Sequence, residues 1–204
     1  MSSLKFARAL AVAGIALIPL IGTCGAQAAT SAGNYVLYND YTDQCADVAG
    51  TGADGGDTAV WQDECHTSQS GDNQVWGMLN TRVAGGNQLF VLVNVKSQLC
   101  MDIPGTGAVA NGTVVSLDTC ASNSANDNQE WYREQVITNA WLLVNYKNPS
   151  LCLDVAGWAY NDTDMANRAR LTVYTCSGPA SNPDWDGYIA GYDDHLWDFA
   201  NPTA

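Results

Sequence analysis

Leu142-Leu143-Val144-Asn145, followed seven residues later by Cys152-Leu153-Asp154-Val155, is one of three copies of the same pattern in this chain. Each copy is a short apolar run that ends in Asn and precedes a Cys-x-Asp-aliphatic motif. The upstream copies are Val91-Leu92-Val93-Asn94 with Cys100-Met101-Asp102-Ile103, and Val36-Leu37-Tyr38-Asn39 with Cys45-Ala46-Asp47-Val48. A unit that recurs along a chain in this way predicts a fold built from three repeats.

Later landmarks keep the same register. Three landmarks of the first unit recur 55 residues further on, namely Cys45 as Cys100, Cys65 as Cys120 and Trp76 as Trp131. The third unit is longer, since Cys152 and Cys176 are 24 residues apart and its last tryptophan is Trp197. No stretch shows sustained helical periodicity, whereas short apolar runs alternate with turn-forming residues. We therefore expect an all-β fold.

The first 28 residues have the features of a signal peptide. Lys5 and Arg8 precede an apolar run from Ala9 to Gly22, and Ala26-Gln27-Ala28 provides small residues for cleavage. The run is shorter than the roughly 20 residues that a membrane-spanning helix needs. We expect cleavage after Ala28, no membrane insertion, and a secreted, extracellular protein.

The charge of the chain is strongly acidic. Its formal value is −13, and loss of Lys5 and Arg8 with the leader would leave six basic against 21 acidic residues, or −15. Such a surface repels phosphate backbones, so nucleic acid is a poor partner. Sulfated or sialylated ligands are disfavoured for the same reason, while neutral ligands are not.

Six cysteines remain after the leader, and an even number in an exported chain indicates disulfide bonds. Equal separations at equivalent positions make pairing within each repeat the simplest arrangement. The predicted bonds are Cys45–Cys65, Cys100–Cys120 and Cys152–Cys176. With only two histidines and no Cys-x-x-Cys motif, we expect no metal site and no cofactor.

The triple occurrence of Cys-x-Asp-aliphatic, together with Gln-x-Trp in the first two repeats, resembles the ricin-B-type lectins. The resemblance implies a β-trefoil of three pseudo-equivalent repeats and twelve short strands. We expect a single domain over residues 33–204, with repeats at about 34–80, 89–135 and 140–200. It further implies that Trp76, Trp131 and Trp197 pack in the centre of the fold, and that each repeat is a potential sugar site.

In that family the Asp of Cys-x-Asp accepts hydrogen bonds from sugar hydroxyls, beside an aromatic platform two residues before the second Cys. Strand alternation places that platform position on the same face as the Asp. Only the third repeat has an aromatic there, Tyr174, while the second has Asp118. The third repeat is therefore the predicted site, with Asp154, Tyr174, and Asp194-His195 in place of the usual Asn-Gln pair.

The first repeat is a second candidate. It has Asp47 and the pair Asn73-Gln74, and Trp61 is a possible platform displaced by two residues. An alternative for every such Asp is that it only caps the following turn through the backbone.

The predicted function is a secreted, non-catalytic lectin that binds neutral glycans or polysaccharide, with a separately encoded partner protein also possible. No nucleophile motif lies near either histidine, and the recurrence of Asp by repeat favours binding over catalysis. The alternative is a secreted β-trefoil protease inhibitor that acts through the loop at 177–193. The inserted aromatics from Trp158 to Tyr192 either line a site or plug the end of the trefoil.

Overall fold

The computed structural model describes residues 29–50, 53–66, 73–121, 127–157, 165–177 and 194–202, and every regular element in these ranges is a β-strand. The strands are β1 (Thr30–Asn39), β2 (Cys45–Val48), β3 (Val60–Asp63), β4 (Val75–Ala84), β5 (Asn87–Asn94), β6 (Cys100–Asp102), β7 (Thr113–Val114), β8 (Ser116–Asp118), β9 (Trp131–Ile137), β10 (Ala140–Asn145), β11 (Leu151–Val155), β12 (Leu171–Thr175) and β13 (Leu196–Ala200). None of the described segments forms a helix with the length and apolar character needed to cross a membrane.

Six of these strands close into a barrel. The antiparallel pairs run β1–β4, β4–β5, β5–β9, β9–β10, β10–β13 and finally β13–β1. Each repeat supplies two of the six strands, which are its first and its last. Closure leaves the barrel without an open sheet edge, which is one way in which β-proteins avoid pairing with other chains.

The remaining strands form three hairpins, one for each repeat. They are β2–β3, β6–β8 and β11–β12. The hairpins are joined through the backbone: the Val60 amide donates to the Val115 carbonyl, and the Val115 amide donates to the Leu171 carbonyl, both at 2.9 Å. All three side chains are fully buried.

This arrangement confirms the predicted all-β trefoil, with one difference in strand number. Twelve strands were expected and thirteen are present, because the third strand of the second repeat is divided at Val115 into β7 and β8. β7 pairs with β12 of the third repeat, whereas β8 pairs with β6 of its own repeat. The interruption lets one strand serve two neighbours.

The core is organised around the three tryptophans, as expected. Trp76, Trp131 and Trp197 have no exposed surface and lie in one cluster. The Trp76 indole N–H donates to the carbonyl of Ala46 at 3.0 Å, and that of Trp197 donates to the carbonyl of Leu153 at 3.2 Å. Each of these bonds ties the last barrel strand of a repeat to the hairpin of the same repeat.

The three predicted disulfides are also confirmed. Cys45 is bonded to Cys65, Cys100 to Cys120 and Cys152 to Cys176. Each bond joins the start of a hairpin to the segment that follows the hairpin. Loop closure of this length contributes on the order of 3 kcal/mol in the chain-entropy model. The hairpins that carry the predicted sugar sites are thereby held closed at their open ends.

Candidate functional site

The hairpin β11–β12 places the predicted residues of the third repeat on one face. Asp154 is opposite Thr172, and Cys152 is opposite Tyr174. Tyr174 is therefore the diagonal neighbour of Asp154, at a Cα spacing of roughly 7–8 Å for an antiparallel pair. The alternate residues Leu171 and Val173 face the core and are fully buried, as strand alternation predicts.

Asp154 is held in place by its neighbour across the hairpin. The Thr172 hydroxyl donates to Oδ2 of Asp154 at 2.7 Å, and Asp154 is only 7% exposed. The other oxygen, Oδ1, lies 3.4 Å from Nε2 of His195. One side of the carboxylate is thus fixed by a hydroxyl, and the other side faces an imidazole.

His195 lies between two carboxylates. Its Nδ1 is 3.4 Å from Oδ1 of Asp194, on the side opposite to Asp154, and its side chain is 9% exposed. Both residues precede β13, so that strand carries them to the β11–β12 hairpin. The structure therefore brings together Asp154, Asp194 and His195, three of the four residues predicted for this repeat, directly below the fourth, Tyr174.

Tyr174 is the one aromatic ring among the described residues that is more than a third exposed, at 47%. An exposed ring offers a flat apolar surface to a ligand without unpacking the core, and the carboxylate beside it can accept hydrogen bonds from hydroxyl groups. The two features together form a shallow polar recess with an aromatic wall.

The same three polar residues have the spacing of a cation site. One ligand atom from each of Asp154, Asp194 and His195 lies within 4.8 Å of the others. Carboxylate and imidazole groups are ligands that divalent cations accept. However, the two ring nitrogens face different carboxylates, and an imidazole that bridges two carboxylates produces these distances without an ion. The expectation of no metal therefore stays a prediction.

The first repeat brings Asp47 and Trp61 together, but not as an open platform. The two residues are directly opposite on β2 and β3, and the indole N–H of Trp61 donates to Oδ2 of Asp47 at 3.2 Å. The amide of Val48 donates to Oδ1 of the same carboxylate at 2.7 Å. The guanidinium of Arg168, from the third repeat, lies 5.6 Å from the centroid of the Trp61 ring. These contacts agree with the turn-capping alternative for Asp47.

The structure places Asn73 and Gln74 below the surface, in contact with the backbone. Gln74 has no exposed area; its amide donates to the Glu64 carbonyl at 2.8 Å and its oxygen accepts from the His66 amide at 2.6 Å. Asn73 donates to the Gly50 carbonyl at 2.9 Å. These bonds hold the segments that flank the hairpin, so the direct ligand contact expected of this pair differs from the contacts the two side chains make here.

The second repeat contains a carboxyl group in an unfavourable environment. Asp102 is buried and lies near Asp127 and Asp118, and burial followed by these negative neighbours raises its pKa to about 7. In the second repeat Asp118 replaces the aromatic platform and is exposed. This repeat therefore has the Asp of the motif without a ring beside it.

Several predicted features lie outside the described residues. They are the leader at 1–28, the aromatics of 158–160, and all of the 177–193 loop except Ser177. The inhibitor alternative for that loop consequently stays a hypothesis.

One contributor to the site was not predicted. The side-chain amide of Asn39 donates to the backbone carbonyl of Asp194 at 2.7 Å. Its equivalents Asn94 and Asn145 make the same bond to the carbonyls of Asn73 and Asn128. The signal was present in the sequence, because this Asn ends the apolar run in all three repeats.

Comparison with known proteins agrees with this architecture. A family model described as "Ricin-type beta-trefoil lectin domain-like" matches residues 26–118 and 72–174. No curated protein sequence matches the chain. Among solved structures, the designed 3-fold symmetric protein ThreeFoil is 21% identical with a TM-score of 0.59, and the match covers 82% of this chain and 98% of that one.

Two fungal lectins share the fold. The Rhizoctonia solani agglutinin is 21% identical with a TM-score of 0.55, over 86% of this chain and 99% of its own. The Macrolepiota procera ricin B-like lectin, solved in complex with lactose, is 14% identical with a TM-score of 0.56, over 86% and 100% of the two chains. At these identities the structural likeness concerns the fold, while the family model covers most of the sequence. The chain belongs to the ricin-type β-trefoil lectin domain-like family.

Proposed function

We propose that this protein is a secreted, non-catalytic lectin that binds neutral sugars through its third repeat. Membership of a lectin domain family implies glycan binding, and such domains are generally non-catalytic, although they also occur in enzymes and toxins. The observation that carries the assignment to the third repeat is the exposed ring of Tyr174 beside the carboxylate of Asp154.

In this proposal Asp154 is the hydrogen-bond acceptor for two sugar hydroxyls. A carboxylate accepts without needing a donor of its own, and hydrogen bonds to a charged group contribute about 1.5–3 kcal/mol each. The bond from Thr172 fixes the orientation of the carboxylate before the ligand arrives. Because the side chain is already oriented, less conformational entropy is lost on binding.

Tyr174 covers the apolar C–H face of the sugar ring, and by analogy with aromatic pairs this stacking contributes about 0.5–1.5 kcal/mol. Asp194 and His195 add a second set of hydrogen-bonding groups at the base of the recess. Two carboxylates in one recess repel anionic ligands, which favours neutral sugars. A shallow site with these contacts is expected to have a dissociation constant between about micromolar and millimolar.

The test is a broad glycan array probed with the parent protein and with Tyr174→Ala and Asp154→Asn. Both variants should lose at least tenfold in affinity, and Tyr174→Phe should retain binding because it keeps the ring. Asp118→Ala is a matched control, since Asp118 holds the position of Tyr174 in the second repeat, and it should bind as the parent does.

Retained binding by both Tyr174→Ala and Asp154→Asn would place the site elsewhere in the molecule. Absence of binding by the folded parent to every glycan on the array would count against the lectin assignment itself. Unfolding curves for each variant separate a lost contact from a lost fold.

A further inference from the structure

A ring of six inward-facing positions lines the barrel one layer beyond the core tryptophans. The positions are two residues after each core Trp and two residues before the Leu at the centre of each first barrel strand. They are occupied by Tyr35, Met78, Phe90, Arg133, Trp141 and Phe199. Met78 and Phe90 belong to the central core, and Tyr35 and Phe199 pack against it. Four rings and a methionine thus surround a single charged residue.

Arg133 occupies the position that Met78 has in the first repeat and Phe199 has in the third. Its guanidinium lies 4.6 Å from the centroid of Trp141 and 5.5 Å from that of Phe199. Among the described residues these ring contacts are its only interactions, with no ion pair or hydrogen bond. By contrast, Arg82 is paired with Glu130 at 2.5 Å.

A pocket of about 430 Å³ opens at this layer, a volume within the usual range of small-ligand sites. Its walls include Tyr35, Phe90, Trp141 and the exposed side chain of Arg133, and its rim includes Asn80 and Asn87. Neither asparagine side chain has a hydrogen-bond partner within the part of the chain that the structure describes. A cation and two amide groups therefore converge on a recess with aromatic walls.

We propose that this pocket binds a small sugar acid, a pyranose that carries a carboxylate, at a site separate from the third-repeat recess. The planar guanidinium can donate two parallel hydrogen bonds to a carboxylate, and its stacking on Trp141 holds it in place for that contact. The amides of Asn80 and Asn87 can each donate to and accept from hydroxyl groups. The ring of the sugar then lies against the aromatic wall.

The acidic surface of the protein opposes this ligand at long range but not at contact. Charges more than about 8 Å away are largely screened at physiological ionic strength, so the guanidinium dominates within the pocket. The pocket is built by barrel strands β1, β4, β5, β9 and β10. The third-repeat recess is built by β11, β12 and the turn before β13, and so the two sites can be tested separately.

The experiment titrates the protein with glucuronic acid and N-acetylneuraminic acid, and with glucose and galactose as the uncharged comparison. Binding is followed by calorimetry and by the side-chain NMR signals of Arg133, Trp141 and Asn87. The test variant is Arg133→Met, which copies the residue of the first repeat and preserves the barrel packing. Lys96→Met is the control, because it removes the same charge beyond the opposite end of β5.

At least one acid should bind tenfold more tightly than the neutral sugars and shift all three signals. Arg133→Met should lose that binding at least tenfold while keeping the parent glycan-array profile, and Lys96→Met should keep both. Equal binding of the acids by Arg133→Met, or no shift at these residues with either acid, would overturn the proposal. If Arg133→Met does not fold, the double variant Asn80→Ala/Asn87→Ala, with the barrel core intact, must lose at least tenfold in acid affinity.

Discussion

The side-chain amide of Asn39 and the backbone carbonyl of Asp194 are joined by a 2.7 Å hydrogen bond across 155 residues of sequence. Asn39 ends the first strand of the first repeat, and Asp194 lies in the polar recess of the third repeat. Asn39 has no exposed surface, and its own oxygen accepts from the amides of Tyr41 and Thr42. One side chain thus shapes the turn that follows it and fixes the base of the predicted sugar site.

Replacing Asn39 by Ala should therefore destabilise the fold and weaken glycan binding. The change leaves the Asp194 carbonyl and two turn amides without this partner, at a cost of about 1–3 kcal/mol in the free energy of unfolding. Urea denaturation measures the loss. Asn34→Ala is the control, because Asn34 is exposed and should change stability by less than about 0.5 kcal/mol. Equal stability of the two variants would contradict this role for Asn39.

Asp102→Asn should stabilise the protein at alkaline pH. Burial and the neighbouring Asp127 and Asp118 raise the pKa of Asp102 from 3.8 to about 7 in the folded state. The folded protein then binds more protons than the unfolded chain between these values, so stability falls as the pH rises through that window. The amide removes this dependence.

The measurement is the free energy of unfolding of parent and Asp102→Asn at pH 5 and pH 8. The variant should gain on the order of 1 kcal/mol relative to the parent on going from pH 5 to pH 8. Asp57→Asn makes the same charge change at an exposed position and serves as the reference. A parent that is equally stable at both pH values would refute the prediction.

Gln74→Ala should lower stability without changing which glycans bind. The side chain bonds the Glu64 carbonyl and the His66 amide from a fully buried position, so its loss leaves two backbone groups unsatisfied. We expect a loss of about 1–3 kcal/mol in a denaturant titration. Gln129→Ala, which removes the equivalent bonds to Thr119 and Ala121, should behave alike. Abolished binding by a folded Gln74→Ala would restore the direct ligand role.

His195→Gln should make glycan binding independent of pH. An imidazole ordinarily gains its second proton near pH 6.5, and the charged ring then attracts Asp154 and Asp194, which lie 3.4 Å from its two nitrogens. This competes with the sugar for the oxygens of Asp154. The parent should bind several-fold more weakly at pH 5.5 than at pH 7.5, while the variant, which carries the residue of the other repeats, should bind equally at both. A parent with no pH dependence would exclude this competition.

Sequence periodicity was sufficient for the architecture. Copies of one motif in register predicted the trefoil and the disulfide pairs, and strand alternation predicted that Leu171 and Val173 face the core while Tyr174 does not. These features depend on local spacing, which every repeat displays. Each is confirmed by the burial pattern or by the bonds themselves.

The contacts between repeats could not be predicted in this way. Trp61 appeared available as a platform, but its ring lies beside Arg168, a residue 107 positions later in the sequence. The position of Arg133 inside the barrel depends on which strands close the ring, and the amides of Asn73 and Gln74 reach backbone that is close only after folding. A repeated motif specifies what each unit is, whereas its neighbours decide which of its groups remain available to a ligand.

Strand β13 pairs with both β1 and β10, and this has a consequence for biosynthesis. During translation the chain contains two unpaired strand edges until β13 has been made, and such edges readily pair with other chains. The recess residues Asp194 and His195 also arrive only with that segment. A nascent or truncated chain without β13 is thus expected both to aggregate and to lack sugar binding, so that activity appears only in molecules whose circle of strands is complete.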